Sequence, residues 1–286
     1  MRIDLNADLG EGFGAWTMGE DEALMKLISS ANVACGFHAG DPLIMDSTVR
    51  RAKALGIDLG AHVGFPDLQG FGRRRMNIEL KELCAIVVYQ LGALAGIATA
   101  AGYRVTHMSF HGALGNMAAA DAELAGPLVK AVACFDPQMI ISSSSSEAIE
   151  QAAQACNLRV ATTFLADRAY DENCLLVPRG IAGAVVKDPE QVRARVAQLL
   201  QDGTVTTLSG KRVAVNAQSI LLHGDTPGAV ELARSIRHSI EGQGGRHHPC
   251  FAVAWVISAP YRHTTIASWS LPVTLVKVQY KAIRIR

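Results

Sequence analysis

The sequence predicts an α/β fold built on a closed or nearly closed (β/α) barrel, and three observations predict it. About seven short apolar runs alternate strictly with helical segments, the pattern of parallel βα units. The runs carry little polar alternation, which suits strands covered on both faces. A polar cluster follows nearly every run, whereas an open doubly wound sheet gathers such residues at one switch point.

The predicted strands are Met1–Leu5, Ala31–Ala34, Ile57–Ala61, Val105–Phe110, Met139–Ser142, Leu158–Phe164 and Ser219–Leu222. Between them, Glu20–Ser29 reads as a helix. Asp41 followed by Pro42 pairs a capping side chain with a first-turn proline, so a helix starts there and runs to Leu55 before Gly56. A long helix is expected from Asn77 to Ala101, closed by Gly102, then a short one after Gly112 and another over Asp121–Cys134. Ser144 with Glu147 resembles a capping box for a helix ending near Cys156. Asp188–Pro189 opens a helix to Leu200, and Thr226–Pro227 opens the last, to Ile240. Thr204–Val213 reads as a small hairpin around Ser209–Gly210.

Composition narrows the function classes. A chain of 286 residues can bury a sizeable core, and a net charge of +1 gives no reason to expect nucleic acid or an anionic membrane as partner. The six cysteines form no CxxC pair, which fits a reduced, cytoplasmic compartment. Asp4 and Asp8 interrupt any signal-like apolar segment at the start. The apolar stretch from Cys84 to Ala101 reads as a buried helix rather than a membrane span, because it contains Gln90 and follows an amphipathic turn. Residues 1–242 form the expected barrel domain and 243–286 a separate basic tail. After Gly245 there are six Lys or Arg and no Asp or Glu, together with Trp255 and Trp269. That tail is either functional or foreign to the domain, and Leu271–Ile285 could pair as an edge strand.

The polar clusters carry the chemistry. Alternation puts Asp4, Asn6 and Asp8 on one side of an extended segment, with Glu11 just beyond; such groups are costly to bury without partners. They form either a structural hydrogen-bond network or a metal or substrate site. Two glycines flank His38, just before a helix N-terminus whose positive end favours an anion. Neighbouring Cys35 reads as a buried thiol. His62 is expected at the same mouth, followed by Arg73, Arg74 and Arg75 in a glycine-bounded loop suited to carboxylate or phosphate. His111 and His223 each end an apolar strand in a His-Gly step, with Asn116 and Asp225 following. With Asp8, Asp167 and Asp225 the four histidines make an acid–base or metal set. No HxH or HExxH spacing names a metal, and no GxxxxGK[ST] names a nucleotide. The serine run Ser142–Ser146, at an expected helix start, reads as a solvated cap, or else as a phosphate site made of backbone N–H groups.

These segments together resemble the LamB/YcsF family. The matching blocks are DLNADLGEGFG at Asp4–Gly14, ANVACGFHAGDP at Ala31–Pro42, GAHVGFPD and GFGRR within Gly60–Arg74, HGAL at His111–Leu114, ADRAY at Ala166–Tyr170, LVPRG at Leu176–Gly180 and HGDTP at His223–Pro227. The resemblance implies an irregular seven-stranded (β/α) barrel of the glycoside hydrolase/deacetylase type. It further implies ATP-dependent cleavage of 5-oxoproline to L-glutamate, with ATP shared among subunits and with 5-oxoprolinase B and C subunits as partners. On that basis Asp8, His38 and His111 are the candidates for the base. Asn6, Glu11, His62, Arg73, Arg74, Asn116, Asp167, Arg168, His223 and Asp225 are candidates for substrate binding. The alternatives are a metal-dependent hydrolase or deacetylase on the same barrel, or an inert homologue. Three departures bear on the last: Ser109 stands where the family has Lys, Gly115 where it has Tyr, and Thr163 where it has Glu. Oligomeric state is not legible in the sequence, and a homo-oligomer is left open.

Overall fold

The computed structural model describes residues 2–226, 228–242 and 246–247. The tail expectations, the edge strand Leu271–Ile285 and Pro227 at the start of the last helix lie outside the described residues. In chain order the elements are β1 (Arg2–Leu9), α1 (Asp21–Leu24), β2 (Ser30–Ala34), α2 (Pro42–Leu55), β3 (Asp58–Val63), α3 (Leu80–Ala100), β4 (Val105–Phe110), α4 (Gly112–Ala120), α5 (Ala122–Phe135), β5 (Ile140–Ser143), α6 (Glu147–Ala155), β6 (Arg159–Leu165), α7 (Pro189–Asp202), β7 (Thr204–Thr206), β8 (Arg212–Ala214), β9 (Ser219–His223), α8 (Ala229–Gly242) and β10 (Arg246–His247).

Seven parallel strands run in the order β1-β2-β3-β4-β5-β6-β9, and the pairing of β9 with β1 closes the barrel. The expected barrel is therefore present with the expected number of strands. The short β10 pairs with the beginning of β1, and β7 and β8 form the predicted hairpin.

Local chemistry accounts for most element ends. Asp41 accepts from the backbone N–H of Leu43 and Ile44, and Gly56 closes α2 at φ +67°. Three expectations shift. The helix expected over Glu20–Ser29 is a single turn, Asp21–Leu24, because Ser29 already donates its N–H to Leu5 at the start of the β1–β2 pairing. The cap of α6 is Ser146, whose Oγ accepts from Ile149, rather than Ser144. β1 continues to Leu9, so Asn6 and Asp8 belong to the strand itself and not to a loop after it.

The strands are buried on both faces, but the two faces differ in kind. Outward residues such as Leu5, Leu9, Val33, Leu59 and Val63 join Val87, Leu91 and Leu94 of α3 in one core. The α3 helix is long and apolar enough to cross a membrane by length and composition; here it turns Leu83, Val87, Leu91, Leu94 and Ala98 inward. The interior of the barrel is polar where branched apolar side chains ordinarily fill it. At its lower end Asp4 accepts from the hydroxyls of Ser29 (2.6 Å), Ser30 (2.7 Å) and Ser219 (2.6 Å). Above it Asn32 donates to Asn6 Oδ1 at 2.6 Å, and His107 Nε2 lies 3.1 Å from Asn32 Oδ1. Gly60, paired with His107 in register, leaves the room for that ring: a Cβ there would overlap it. At the upper end Asn32 Nδ2 donates to Asp8 Oδ1 at 2.9 Å.

Candidate functional site

The site stands at the carboxyl ends of the strands, as the polar clusters required. β1 brings Asp8 to the mouth, and Gly10 (φ +67°) turns the chain so that Glu11 follows. β2 leads to His38 through a tight turn in which Gly36 N–H donates to Ala39 C=O at 2.8 Å. Gly40 (φ +80°) packs so closely that its Cβ would fall 2.9 Å from Ala34 O and 3.0 Å from Gly10 O, and this holds the His38 loop against the Glu11 loop. β3 ends near His62, β4 leads to His111 and β9 ends at His223.

Glu11, His38, His62 and His111 converge, each offering a ligand-type atom within 4.8 Å of the others, and all four are buried. His38 Nε2 is 3.3 Å and His111 Nδ1 3.7 Å from Glu11 Oε1, and His111 Nδ1 is 2.9 Å from His62 Nε2. The rings of His38 and His111 stack at 3.8 Å. Outer contacts set the rings: His111 Nε2 donates to Phe71 C=O at 2.7 Å, and His62 Nδ1 meets Ser109 Oγ at 2.6 Å. Burial, reinforced by the neighbouring histidines, holds His38 and His111 well below the ordinary imidazole range, and burial takes His62 down to about 3. Burial beside Asp8 holds the Glu11 carboxyl well above its ordinary value.

A second group faces it across Asp8. Asp8 Oδ2 lies 3.5 Å from His62 Nε2 and 3.9 Å from His223 Nε2. His223 Nδ1 contacts Asp167 at 2.8 Å, and Thr226 donates to the same carboxylate at 2.9 Å. Burial lowers the affinity of His223 for a proton, but the Asp167 and Asp8 carboxylates outweigh it and the net shift is upward. Burial raises Asp167, yet His223 and Thr226 bring it below its usual value. Asp8 is raised by burial, opposed by His223.

Both groups open on a cleft of about 680 Å³, within the range of small-molecule sites. Asp8, His62, His111 and His223 line it, with Arg73, Arg75, Asn116, Arg168 and Arg179. Arg73 pairs with Asp225 at 2.7 Å, and Arg179 Nη2 lies 3.4 Å from His223 Nε2. His38 and Glu11 lie behind His62 and His111 and do not line the cleft. Asn6 is committed to Ser30 and Asn32 below it. Arg74 leaves the cleft to pair with Asp67. Arg168 reaches the cleft wall but spends its guanidinium on Ala184 and Val177 carbonyls, bracing the loop that carries Arg179. Cys35 is fully buried and its thiol is pushed up to about 12 by burial, as a structural thiol would be.

The structure adds residues that the sequence reading passed over. Arg179 sits in an irregular loop where no periodicity marks it. Asn32 and His107 had a usable signal: Asn32 shares a strand face with Ser30, and His107 with Ser109. Gln90 of α3 clamps Gly64, accepting from its N–H at 3.0 Å and donating to its C=O at 2.8 Å, and so fixes the loop against His38. Ser109 and Thr163 are both occupied: Ser109 supports His62, and Thr163 Oγ1 meets Ser142 Oγ at 2.8 Å.

Over 245 residues the chain is 99% identical to a Pseudomonas syringae pv. tomato protein named as a 5-oxoprolinase A subunit, covering 86% of this chain and 96% of that relative. A 5-oxoprolinase A subunit of Pectobacterium atrosepticum is 54% identical over 249 residues, covering 87% and 97%. Among solved structures, the lactam utilization protein of Thermus thermophilus superposes with a TM-score of 0.81 at 41% identity, covering 87% of this chain and 99% of that one. The model of the LamB/YcsF family matches residues 3–254, and the chain belongs to that family.

Proposed function

We propose that this chain is the A subunit of an ATP-dependent 5-oxoprolinase, cleaving the lactam of 5-oxoproline to L-glutamate together with B and C subunits. The observation that carries this is the 99% identity, over 86% of this chain and 96% of the relative, to a protein that bears the name of a 5-oxoprolinase A subunit. The cleft supports it, because it is small, lined with arginines and ends on an acid–base pair. Five cysteines are free among the described residues, which suits a reducing compartment such as the cytoplasm.

A lactam is a stable amide, and ring opening needs a water deprotonated on one side and a nitrogen protonated on the other. When bound, ATP would supply a phosphoryl group to the lactam oxygen, leaving ADP and an electrophilic ring carbon; ring opening would then leave an acyl phosphate, which a second water would hydrolyse to glutamate and inorganic phosphate. His223, whose affinity for a proton Asp167 raises, gives a proton from Nε2 to the departing ring nitrogen once Arg179, a donor 3.4 Å from Nε2, turns to the substrate. Asp8, 3.9 Å away, takes the proton of the attacking water. Arg73 and Arg179 hold the substrate carboxylate or the transferred phosphate through charge-assisted hydrogen bonds. Asp225 keeps Arg73 in place. His111 and His62 form the opposite wall.

The test is reconstitution. The chain co-purified with B and C subunits should release glutamate from 5-oxoproline only when ATP is present, and His223→Ala should lower kcat by about 100-fold or more. An assembled complex that forms no glutamate overturns the reading.

A further inference from the structure

Four buried ligand-type groups meet at the cleft wall, and of these hydrogen bonding leaves His38 and Glu11 poorly satisfied. His38 is fully buried, and its Nδ1 has no partner among the described residues. Its other nitrogen meets Glu11 at 3.3 Å, beyond a good N–H···O bond, and the His111–Glu11 approach of 3.7 Å is longer still. Burying an imidazole and a carboxyl on such contacts is costly. The His111 Nε2 proton goes to the Phe71 carbonyl, so the Nδ1 that faces the cluster carries a lone pair. It points at His62 Nε2, 2.9 Å away, where a second lone pair stands whenever His62 donates its other proton to Ser109.

The separations suit a cation at the centre, with the stacked His38 and His111 rings, now 6° from parallel, rotating apart so that both lone pairs meet it. Bonds of about 2.1 Å at the tetrahedral angle put neighbouring ligand atoms about 3.4 Å apart. The contacts here are 2.9, 3.3 and 3.7 Å, and no pair exceeds 4.8 Å. For His111 and His62 the outer contacts have the form that metal-bound histidines show, a ring N–H on a carbonyl and another on a hydroxyl, while His38 Nδ1 has none among the described residues. The backbone is shaped around the rings as well. A Cβ at Gly64 would lie 2.8 Å from His38 Nδ1, and one at Gly72 would lie 2.7 Å from the His111 ring and 2.8 Å from His38 Cβ.

We propose that Glu11, His38, His62 and His111 form a binding site for one divalent transition-metal cation, in a three-imidazole, one-carboxylate set that selects zinc or a neighbouring first-row ion over magnesium or calcium. The donor set decides the class: three nitrogens and one oxygen suit borderline ions, whereas the hard cations take oxygen. Glu11 and His38 close the site from behind, while His62 and His111 place the ion at the cleft wall, next to Asp8. Metal binding is independent of the 5-oxoproline reading.

The test uses the full-length chain, stripped with a chelator and titrated with Co(II) as a spectroscopic probe. About one equivalent should bind and develop the visible bands of four- or five-coordinate cobalt, and Glu11→Gln and His38→Gln should each weaken binding by about tenfold or more. X-ray absorption on the zinc-loaded wild-type chain should show imidazole scattering, a readout that holds even if a variant fails to fold. Absence of stoichiometric binding, binding unchanged in both variants, or a zinc shell without imidazole overturns the site. None of these measurements depends on glutamate release, so the site and the proposed activity stand or fall separately.

Discussion

His223 and His62 are buried at the same mouth, yet their charges run in opposite directions, and the difference is one carboxylate. His223 has Asp167 on its Nδ1, whereas His62 has the Ser109 hydroxyl there. The first is driven toward imidazolium, the second is neutral at any physiological pH. Asp167→Asn should remove the main upward influence on His223. If imidazolium is the acid that protonates the leaving nitrogen, the alkaline limb of kcat against pH in the reconstituted complex should move to lower pH, with kcat reduced. An unmoved limb would show that His223 does not titrate in the reaction. Arg179→Ala tests the charge beside His223: it should raise KM for 5-oxoproline by about tenfold, the worth of one charge-assisted pair, while changing kcat less. At this scale the sequence marked Asp8, His62, His111, Asp167 and His223, because each follows an apolar run. It could not show that Asn6 and Arg74 are spent elsewhere, since partner choice depends on residues distant in the chain.

At the scale of elements, two positions carry more than their neighbours. Gly60 lies inside β3, where a side chain would overlap the His107 ring. Gly60→Ala should therefore push His107 off Asn32 and cost about 1–3 kcal/mol, read as a lowered denaturation midpoint with unchanged slope. Asp41 caps α2 with two backbone acceptances, and its other oxygen accepts from Gly14 at 2.8 Å. Asp41→Ala should cost about 1–2 kcal/mol and loosen the Glu11–Gly14 loop as well. Hydrogen exchange would show that effect as faster exchange at Gly14 than elsewhere in the loop. The cap at Asp41 was legible from the Asp-Pro pair alone, a strictly local signal. The four-residue α1 was not, since propensity favoured a longer helix and the β1–β2 pairing ended it.

For the molecule as a whole, the polar barrel interior sets a pH dependence. Burial raises Asp4 to about 6 against three hydroxyl donors, and burial next to Asp4 raises Asp58 to about 6. Both folded-state values exceed the unfolded 3.8, so the native state binds more protons between the two values. Their contribution to stability is accordingly greatest at the acid end and falls as pH rises through that window. Asp58 Oδ2 has no hydrogen-bond partner among the described residues, so Asp58→Asn should stabilise at pH 7.5 and much less at pH 4.5. Thermal melts of both chains at the two pH values would show it; a difference independent of pH would refute it. By itself the sequence determined the class of the fold, the number of barrel strands and the end of the sheet where the chemistry gathers. Those follow from periodicity, caps and composition, which act over a few residues. Only the tertiary structure decided that the barrel interior is polar, that Glu11 joins three histidines from separate loops, and that Arg179 completes the cleft. Those depend on closure of β9 onto β1 and on loops meeting across the mouth, contacts between residues far apart in the chain. The recurrence of polar groups after each strand was visible from the start; their division into the Asp8–His223–Asp167 group and a histidine–carboxylate cluster was not.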